Sequence, residues 1–217
     1  MATVLADSLK DAFGRLQAER ERSWSSAQLA ANAGQRRTLQ ARFDPAAVAR
    51  TGDVLPDFAL ADVEGGALTL SRLTAGGPAV LVFFRFAGCP ACNIALSHYD
   101  RTLAPELQVR GVPLVAVSPQ VPGPLRAIRE RHQLSFAVAS DPDNGLARHI
   151  GITFVPDERP ASPPPGWIGE VTGTGSWELP QPSVLVIEPG LRVRHLQVSP
   201  DWLDRPEAAD ILALLDD

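Results

Sequence analysis

From residue 79 onward, short apolar runs alternate with segments of helical periodicity. The runs AVLVFFRF and VPLVAVSP are continuously apolar and bounded by turn residues, which is typical of strands buried on both faces. Each is followed by a segment with helical spacing, PACNIALSHYDRTLAPEL and GPLRAIRERHQL. Strands that alternate with helices form βαβ units, so the sequence predicts an α/β fold with a mostly parallel central sheet flanked by helices.

Hairpins are predicted on either side of this alternating region. Upstream, two short alternating runs flank Gly65 and Gly66 in FALADVEGGALTLSRL. Downstream, SVLVIEPGLRVRHLQV holds two strands around a turn at Pro189 and Gly190, and RPEAADILALL has the pattern of a final helix. The closing hairpin is expected to add an antiparallel edge, which makes the central sheet a mixed one.

The beginning of the chain differs in composition from the rest. Residues 8–42 contain no proline and are rich in Ala, Arg, Gln and Glu. Their apolar residues, with one just upstream, recur at spacings of three and four: Leu5, Leu9, Phe13 and Leu16. The pattern predicts an N-terminal helical arm over residues 1–50, packed on the domain formed by residues 51–217 or on a second copy of the chain in a homodimer.

A segment at about 155–181 interrupts the alternating pattern. It is dense in proline and glycine, shows no periodicity, and contains Trp167 and Trp177. Long irregular segments inside a compact domain are usually functional loops or disordered, and two exposed indole rings would be costly. We expect this insertion to dock on the domain and to cover a substrate site with its tryptophans.

The net charge and the hydropathy of the chain argue against some classes of binding partner. The net charge of −5 and the pI near 5.4 argue against binding to nucleic acid or to an anionic membrane surface. Charged residues at Asp7, Lys10 and Asp11 interrupt the apolar core that a signal peptide needs. With no segment of membrane-spanning length, the sequence favours a cytoplasmic protein.

The only two cysteines of the chain, Cys89 and Cys92, are three residues apart in FRFAGCPAC. They follow a predicted buried strand, and Pro90 suits the first turn of a helix. The helix N-terminus is expected to stabilise a thiolate at Cys89 and to lower its pKa. Cys92 lies one turn further on the same face, so the spacing permits a reversible disulfide.

Three other interpretations of the pair remain open. Metal binding requires about four ligands, and His98 lies off the helical face of Cys92, so a zinc site would need a second subunit. Two inert buried thiols fit the composition of many domains. A module that keeps the fold but only binds partners is the third interpretation.

The chain resembles the peroxiredoxin-like proteins of the alkyl hydroperoxide reductase/thiol-specific antioxidant (AhpC/TSA) group, which have a thioredoxin fold. The resemblance runs from about residue 53 to 198, and its most specific motifs are FRFAGCPAC, FAVASDPDNGLARHIGI and SWELPQPSVLVIEPG. It implies that Cys89, followed by proline, is the peroxidatic cysteine and that Cys92 resolves it. It also implies a cis peptide bond before Pro182, at the start of the strand that faces the cysteines.

This sequence departs from the family pattern near the cysteines. Phe86 replaces the threonine that usually precedes the reactive cysteine by three residues and hydrogen-bonds its sulfur. Phe83 occupies the place of the buried aspartate of thioredoxins. Arg85 is the nearby cation, either positioned to stabilise the thiolate and orient a peroxide or simply exposed at the strand end.

The sequence therefore supports a thiol-dependent peroxidase as the first hypothesis. Cys89 would reduce hydrogen or alkyl peroxides, Cys92 would form the disulfide, and thioredoxin or another dithiol would restore both thiols. A thiol-disulfide oxidoreductase acting on protein or small-molecule thiols is the second hypothesis, and a non-catalytic thioredoxin-like binding module is the third. The glycine pairs lack a following helix that would bind phosphate, so no nucleotide cofactor is indicated. No metal is indicated either, because the two cysteines alone do not supply the four ligands that a metal site requires.

Overall fold

A computed structural model describes residues 7–157 and 159–216, and in this part of the chain a seven-stranded sheet forms the centre of the fold. A two-stranded sheet lies apart from it. The strands are β1 (Ala59–Asp62), β2 (Ala67–Thr69), β3 (Ala79–Phe83), β4 (Leu114–Ser118), β5 (Ala137–Ser140), β6 (Thr153–Phe154), β7 (Leu179–Pro180), β8 (Ser183–Glu188) and β9 (Arg192–Val198).

The central sheet has the strand order β2-β1-β5-β4-β3-β8-β9. β3 pairs in parallel with β4, and β4 with β5, whereas the other pairs are antiparallel. The prediction of a mixed sheet is confirmed, but the expectation of a mostly parallel one is wrong. The reason is that the hairpins β1–β2 and β8–β9 both join the sheet and flank its short parallel centre.

The helices follow the predicted segments closely. Within the described residues they are α1 (Leu9–Ser23), α2 (Ser26–Arg42), α3 (Leu70–Leu73), α4 (Pro90–Thr102), α5 (Ala104–Val109), α6 (Pro122–His132), α7 (Gly145–His149), α8 (Ile168–Thr172) and α9 (Ala208–Ala213). The helical segment after the cysteines is divided into α4 and α5, and Pro105 lies in the first turn of α5. None of these helices combines the length and hydropathy needed to cross a lipid bilayer.

Each face of the central sheet is covered by its own apolar cluster, because successive side chains of β3 and β4 point to opposite sides. Val80 and Val82 join the cluster that contains both cysteines and the apolar residues of α1, α4 and α9. Leu81 and Phe83 join the opposite cluster with α3 and α7. All five residues of β3 are buried, as its continuous apolar run predicts.

The N-terminal arm consists of two helices rather than one. The hydroxyl of Ser25 accepts the N–H of Gln28 and the Gln28 side chain accepts the N–H of Ser25, so a capping box starts α2 directly after α1 ends. The apolar stripe of α1 packs on α4, where Leu9 and Phe13 are buried. Leu5 lies outside the described residues, and pairing of two chains through the arm stays a prediction.

Polar contacts join the arm to the C-terminal segment. The carboxylate of Glu207 accepts the backbone N–H groups of Leu9 and Lys10 at 3.0 Å each, which satisfies donors at the start of α1. Arg36 of α2 donates two hydrogen bonds to the carboxylate of Asp201, at 2.6 and 2.5 Å. The two ends of the described chain thus form one cover over the face of the sheet that holds the cysteines.

The insertion is more ordered than its composition indicated. It contains α8 and the strand β7, which pairs antiparallel with β6. The rings of Trp167 and Trp177 pack against each other with their centroids 4.9 Å apart. Gly169 is required beneath them, since a Cβ atom at this position would lie 2.2 Å from the ring of Trp167. These local contacts order the insertion although its sequence shows no periodicity.

Replacing Glu207 by alanine is expected to loosen the start of α1. Removal of a side chain that caps helical N–H groups costs about 1 kcal/mol, so amide exchange in the first turn of α1 should accelerate roughly fivefold. Hydrogen exchange followed by mass spectrometry measures this change. Glu64→Ala, which removes a surface ion pair with Arg129, is the matched control, and equal exchange in the two variants would contradict the role of Glu207.

Candidate active site

The cysteine pair lies where β3 passes into α4. Cys89 is the residue before the helix and Pro90 is the first residue in it, as the sequence predicted. Both cysteines are free thiols. Cys89 is 2% exposed and Cys92 is 0% exposed, so the pair is covered in this structure.

Side chains from α4 and the loop after β4 hold the backbone around Cys89. Asn93 donates from its amide nitrogen to the carbonyls of Ala87 and Cys89, both at 2.8 Å. Its amide oxygen lies 2.6 Å from Nε2 of His132. Gln120 accepts the N–H of Ala87 at 2.7 Å. Because these bonds converge on one short turn, the position of the first sulfur is well defined.

The two thiols influence each other's ionisation. Arg205 adds a direct contact, with its Nη2 at 3.4 Å from Sγ of Cys92. Burial opposes a thiolate at Cys92, but the hydrogen bond from Cys89 and the charge of Arg205 outweigh it and hold the pKa of Cys92 well below its usual range. The reduced pair is therefore built to carry one negative charge.

The pKa of Cys92 is the lowered one of the pair, whereas the sequence indicated a lowered pKa at Cys89. The hydrogen bond to Cys92, burial and the nearby negative charge raise the pKa of Cys89 well above its usual range. Cys89 precedes the helix but makes no side-chain capping bond to its N–H groups. The expectation of a low pKa at Cys89 is corrected because the cation that binds a sulfur directly, Arg205, contacts Cys92.

Arg85 lies beside the pair, as one of the two sequence interpretations required. Its guanidinium is centred 4.4 Å from the ring of Trp202, and its charge favours the thiolate form of both cysteines. The residue is half-buried. Arg85 is consequently part of the electrostatic environment of the sulfurs rather than an exposed charge at the end of a strand.

Three further residues near the cysteines were not predicted from the sequence: Arg20, Arg205 and Trp202. Arg20 is 6% exposed and lies on α1, within electrostatic reach of Cys89. A signal for it existed, since Arg20 continues the spacing of Leu9, Phe13 and Leu16 on the buried stripe. Arg205 and Trp202 come from an irregular segment, where no periodicity marks a buried residue.

The peptide bond before Pro182 is trans, which corrects the cis bond that the family resemblance implied. The chain is extended on both sides of this proline, since its carbonyl accepts the N–H of Ser199 at 2.8 Å and β8 begins at the next residue. Ser183 pairs with Phe83, so Pro182 lies at the end of the sheet from which the cysteine loop departs. The trans form is the favoured one for an extended X–Pro segment.

The insertion reaches the cysteine loop through Gln120. Besides accepting the N–H of Ala87, the Gln120 side chain donates to the carbonyl of Val171 in α8 at 2.9 Å. The N–H of Val121 also donates to the carbonyl of Thr172. This places α8 next to the loop that carries Cys89, and selection of substrate by Trp167 and Trp177 stays a prediction.

His98, the histidine nearest in sequence to the cysteines, contacts the segment that covers the site. Nε2 of His98 lies 3.3 Å from a carboxylate oxygen of Glu207, and burial lowers the pKa of His98. Across residues 7–157 and 159–216, no three His, Cys, Asp or Glu side chains are grouped so that they could hold a metal ion.

Comparison with known proteins identifies the fold and the family. The AhpC/TSA family model matches residues 51–196. Peroxidoxin BcpB from Mycobacterium tuberculosis superimposes with a TM-score of 0.59 at 23% identity, covering 77% of this chain and 96% of that one. This likeness confirms the expected α/β fold with a thioredoxin-like central sheet.

Two curated relatives match about half of the chain. The thiol-disulfide oxidoreductase ResA of Halalkalibacterium halodurans is 30% identical over 117 residues, which is 52% of this chain and 64% of that protein. Peroxiredoxin Bcp of Escherichia coli strain K12 is 30% identical over 104 residues, 48% of this chain and 65% of that protein. The match thus spans slightly less than two thirds of either relative.

Replacing Arg205 by glutamine is expected to raise the apparent pKa of the first thiol to ionise. The variant loses the cation that contacts Sγ of Cys92, so less thiolate is present at neutral pH. The ultraviolet absorbance of the thiolate, followed during a pH titration, measures the shift. Arg72→Gln, at an exposed arginine of α3, is the control, and a titration curve unchanged by Arg205→Gln would show that Arg205 does not stabilise the charge.

Proposed function

Because the chain belongs to the AhpC/TSA family, we propose that it is a thiol-dependent peroxidase. Cys89 is the sulfur that attacks hydrogen or alkyl peroxides, and Cys92 is the resolving cysteine. The observation that carries the proposal is the pair of free, adjacent thiols at the start of α4, one of which contacts Arg205. The relative named peroxiredoxin Bcp supports the same activity.

The first step uses the negative charge on Cys92 to activate Cys89. The Cys92 thiolate accepts the proton of the Cys89 thiol while the Cys89 sulfur attacks the terminal oxygen of the peroxide. The O–O bond breaks and Cys89 becomes a sulfenic acid. The leaving alkoxide takes the proton back from Cys92, so an alcohol is released and the Cys92 thiolate is restored.

The second step forms the disulfide. The Cys92 thiolate attacks the sulfur of the Cys89 sulfenic acid and displaces hydroxide, which is protonated to water. A dithiol such as thioredoxin then reduces the disulfide by exchange and leaves both cysteines as thiols. The proposal places the protein in the cytoplasm, where such reductants keep thiols reduced.

An internal base of this kind offsets the departures from the family pattern. Phe86 has no hydroxyl for the sulfur, and Phe83 has no carboxylate to accept a proton. We assign both tasks to Cys92, whose sulfur Arg205 contacts and whose pKa is lowered. Phe86, which packs against the apolar cluster of the cysteines, instead excludes water from the pair and so strengthens the attraction between the thiolate and the guanidinium, whereas Phe83 packs on the opposite face of the sheet.

The peroxide requires a route to Cys89, because the sulfur is covered. The cover consists of α1 and the segment around Trp202 and Arg205, held by the contacts of Glu207 and Arg36. These contacts are polar and partly exposed, so local opening costs less than unfolding of the sheet. We propose that opening of this cover admits the substrate.

Disulfide exchange without peroxide is the second candidate function. Contact between the two sulfurs and the likeness to ResA favour it. The rate of reaction with peroxide distinguishes the two functions, because a pure exchange enzyme gains nothing from peroxide beyond the reactivity of an ordinary thiol.

We expect stoichiometric hydrogen peroxide to convert the reduced protein to the Cys89–Cys92 disulfide, faster than it oxidises free cysteine. Cys92→Ser should stop at a sulfenic acid at Cys89, formed more slowly than in the wild type because the thiolate that accepts the proton is lost, and Cys89→Ser should react at least tenfold more slowly than the wild type because the attacking sulfur is removed. Mass spectrometry of the two cysteines after rapid quenching measures all three outcomes. A wild-type rate equal to that of free cysteine would leave disulfide exchange as the function.

A further inference from the structure

Three arginines from distant parts of the chain converge on the cysteine pair. Arg20 comes from α1, Arg85 from the end of β3, and Arg205 from the segment before α9. Arg85 and Arg205 act electrostatically on both sulfurs, and Arg20 acts on Cys89. We call these three residues the arginine cluster.

Aromatic rings line the arginine cluster. Arg20 stacks on Trp24 at 4.8 Å, Arg85 on Trp202 at 4.4 Å, and Arg205 lies 5.7 Å from the centre of the Phe13 ring. Rings satisfy the flat faces of guanidinium groups but leave their N–H edges free.

Each arginine of the cluster has a buried nitrogen without a hydrogen-bond partner among the described residues. These atoms are Nη1 of Arg20, Nε of Arg85 and Nη1 of Arg205. Within the same residues no carboxylate lies at salt-bridge distance from any of the three, and Glu19 acts on Arg20 only electrostatically. Buried arginines are normally paired with an acid, as Arg36 is with Asp201.

Charge in the cluster is out of balance. Three guanidinium groups face at most one thiolate in the reduced pair, so about two positive charges lack a counter-charge inside the site. Arg205 donates from Nε to the carbonyl of Trp202 and from Nη2 to Cys92, so one nitrogen of each arginine remains unpartnered among the described residues. These three donors and the excess charge are the features of a binding site for an anion. The aromatic walls favour a weakly hydrated organic anion over a phosphate dianion, which is more costly to take out of water.

We propose that the arginine cluster binds the carboxylate group of a ligand beside the two sulfurs, and that the substrate class it fits is a peroxycarboxylic acid. This inference rests on the proposed peroxidase function. Guanidinium groups bind carboxylates through two parallel hydrogen bonds. They do not release a proton in proteins, so they stabilise a leaving group that departs as an anion better than one that must be protonated.

The reaction with a peroxycarboxylic acid forms and breaks the same bonds as the reaction with other peroxides, and only the leaving group differs. The Cys89 sulfur bonds to the terminal oxygen of the substrate while its proton passes to Cys92. The O–O bond breaks, and its electron pair leaves with the carboxylate, which the arginine cluster binds. Cys89 is oxidised to sulfenic acid and the substrate is reduced to a carboxylate, which needs no proton. The proton that Cys92 accepted is released to water, and this restores the Cys92 thiolate for the second step.

Alkylation tests carboxylate binding without any peroxide. Iodoacetate and iodoacetamide have the same leaving group and nearly the same size, but only iodoacetate carries a carboxylate. We expect the ratio of their rates with the reduced protein to exceed the ratio with free cysteine by about tenfold, the effect of one charge-assisted hydrogen bond. Because both reagents attack the same thiolate, changes in thiol pKa cancel in the ratio.

Variants of the cluster locate the effect. Arg20→Gln should return the ratio to within about threefold of free cysteine, whereas Arg72→Gln should leave it at the wild-type value. Arg85→Gln serves as a second variant if Arg20→Gln does not fold, as judged by circular dichroism. A wild-type ratio equal to that of free cysteine, or one unchanged in the folded cluster variants, would overturn the proposal.

Stopped-flow kinetics test the substrate class. The quantity compared is the rate constant with peroxyacetic acid divided by that with hydrogen peroxide. This ratio should be at least tenfold larger for the protein than for free cysteine, and Arg20→Gln should reduce it. Equal ratios would refute the preference for peroxycarboxylic acids. If neither peroxide reacts faster than with free cysteine while the alkylation ratio remains high, the peroxidase function fails and the carboxylate site stands.

Discussion

The contact between Arg205 and Cys92 is the interaction on which the rest of the site depends. A thiolate without a partner inside the apolar cluster would be too costly, and a buried guanidinium without an anion would be equally so. Together they keep one charge of each sign in the interior, with Nη2 and Sγ separated by 3.4 Å. The Cys89 thiol also helps to lower the pKa of Cys92.

This charge pair constrains how the two ends of the domain are built. Arg205 reaches the sulfur from an irregular segment, so that segment must be held against α4. Tyr99 of α4 does this by donating a hydrogen bond from its hydroxyl to the carbonyl of Pro206 at 2.7 Å. The next residue, Glu207, accepts a hydrogen bond from the first turn of α1. The N-terminal arm and the C-terminal segment are therefore parts of the site as well as parts of the cover.

Local patterns in the sequence were enough to predict the elements that carry the cysteines. The apolar run before Cys89 predicted β3, and Pro90 marked the first residue of α4, because both signals arise from neighbouring residues. The partner of each sulfur was not predictable in this way. Arg205 is 113 positions from Cys92, and no spacing rule relates an irregular segment to a helix that it contacts only after folding.

The predictions for Cys89 and Pro182 were wrong for the same physical reason. The low pKa was assigned to Cys89 from its place at a helix N-terminus, but a direct cation at Cys92 outweighs a helix dipole. A cis bond was expected at Pro182 from the family resemblance, but the extended pairing of β8 accepts the trans form. In both cases long-range contacts decided what local sequence left undetermined.

Stabilising the reduced pair has a consequence for the oxidised one. Formation of the Cys89–Cys92 disulfide removes the thiolate and leaves Arg205 and Arg85 without their anion, so the same cations that favour the thiolate disfavour the disulfide. A disulfide disfavoured in this way has a high reduction potential and is reduced readily by an external dithiol. In the proposed peroxidase cycle, the electrostatics that prepare the sulfurs for oxidation would therefore also favour their return to the reduced state.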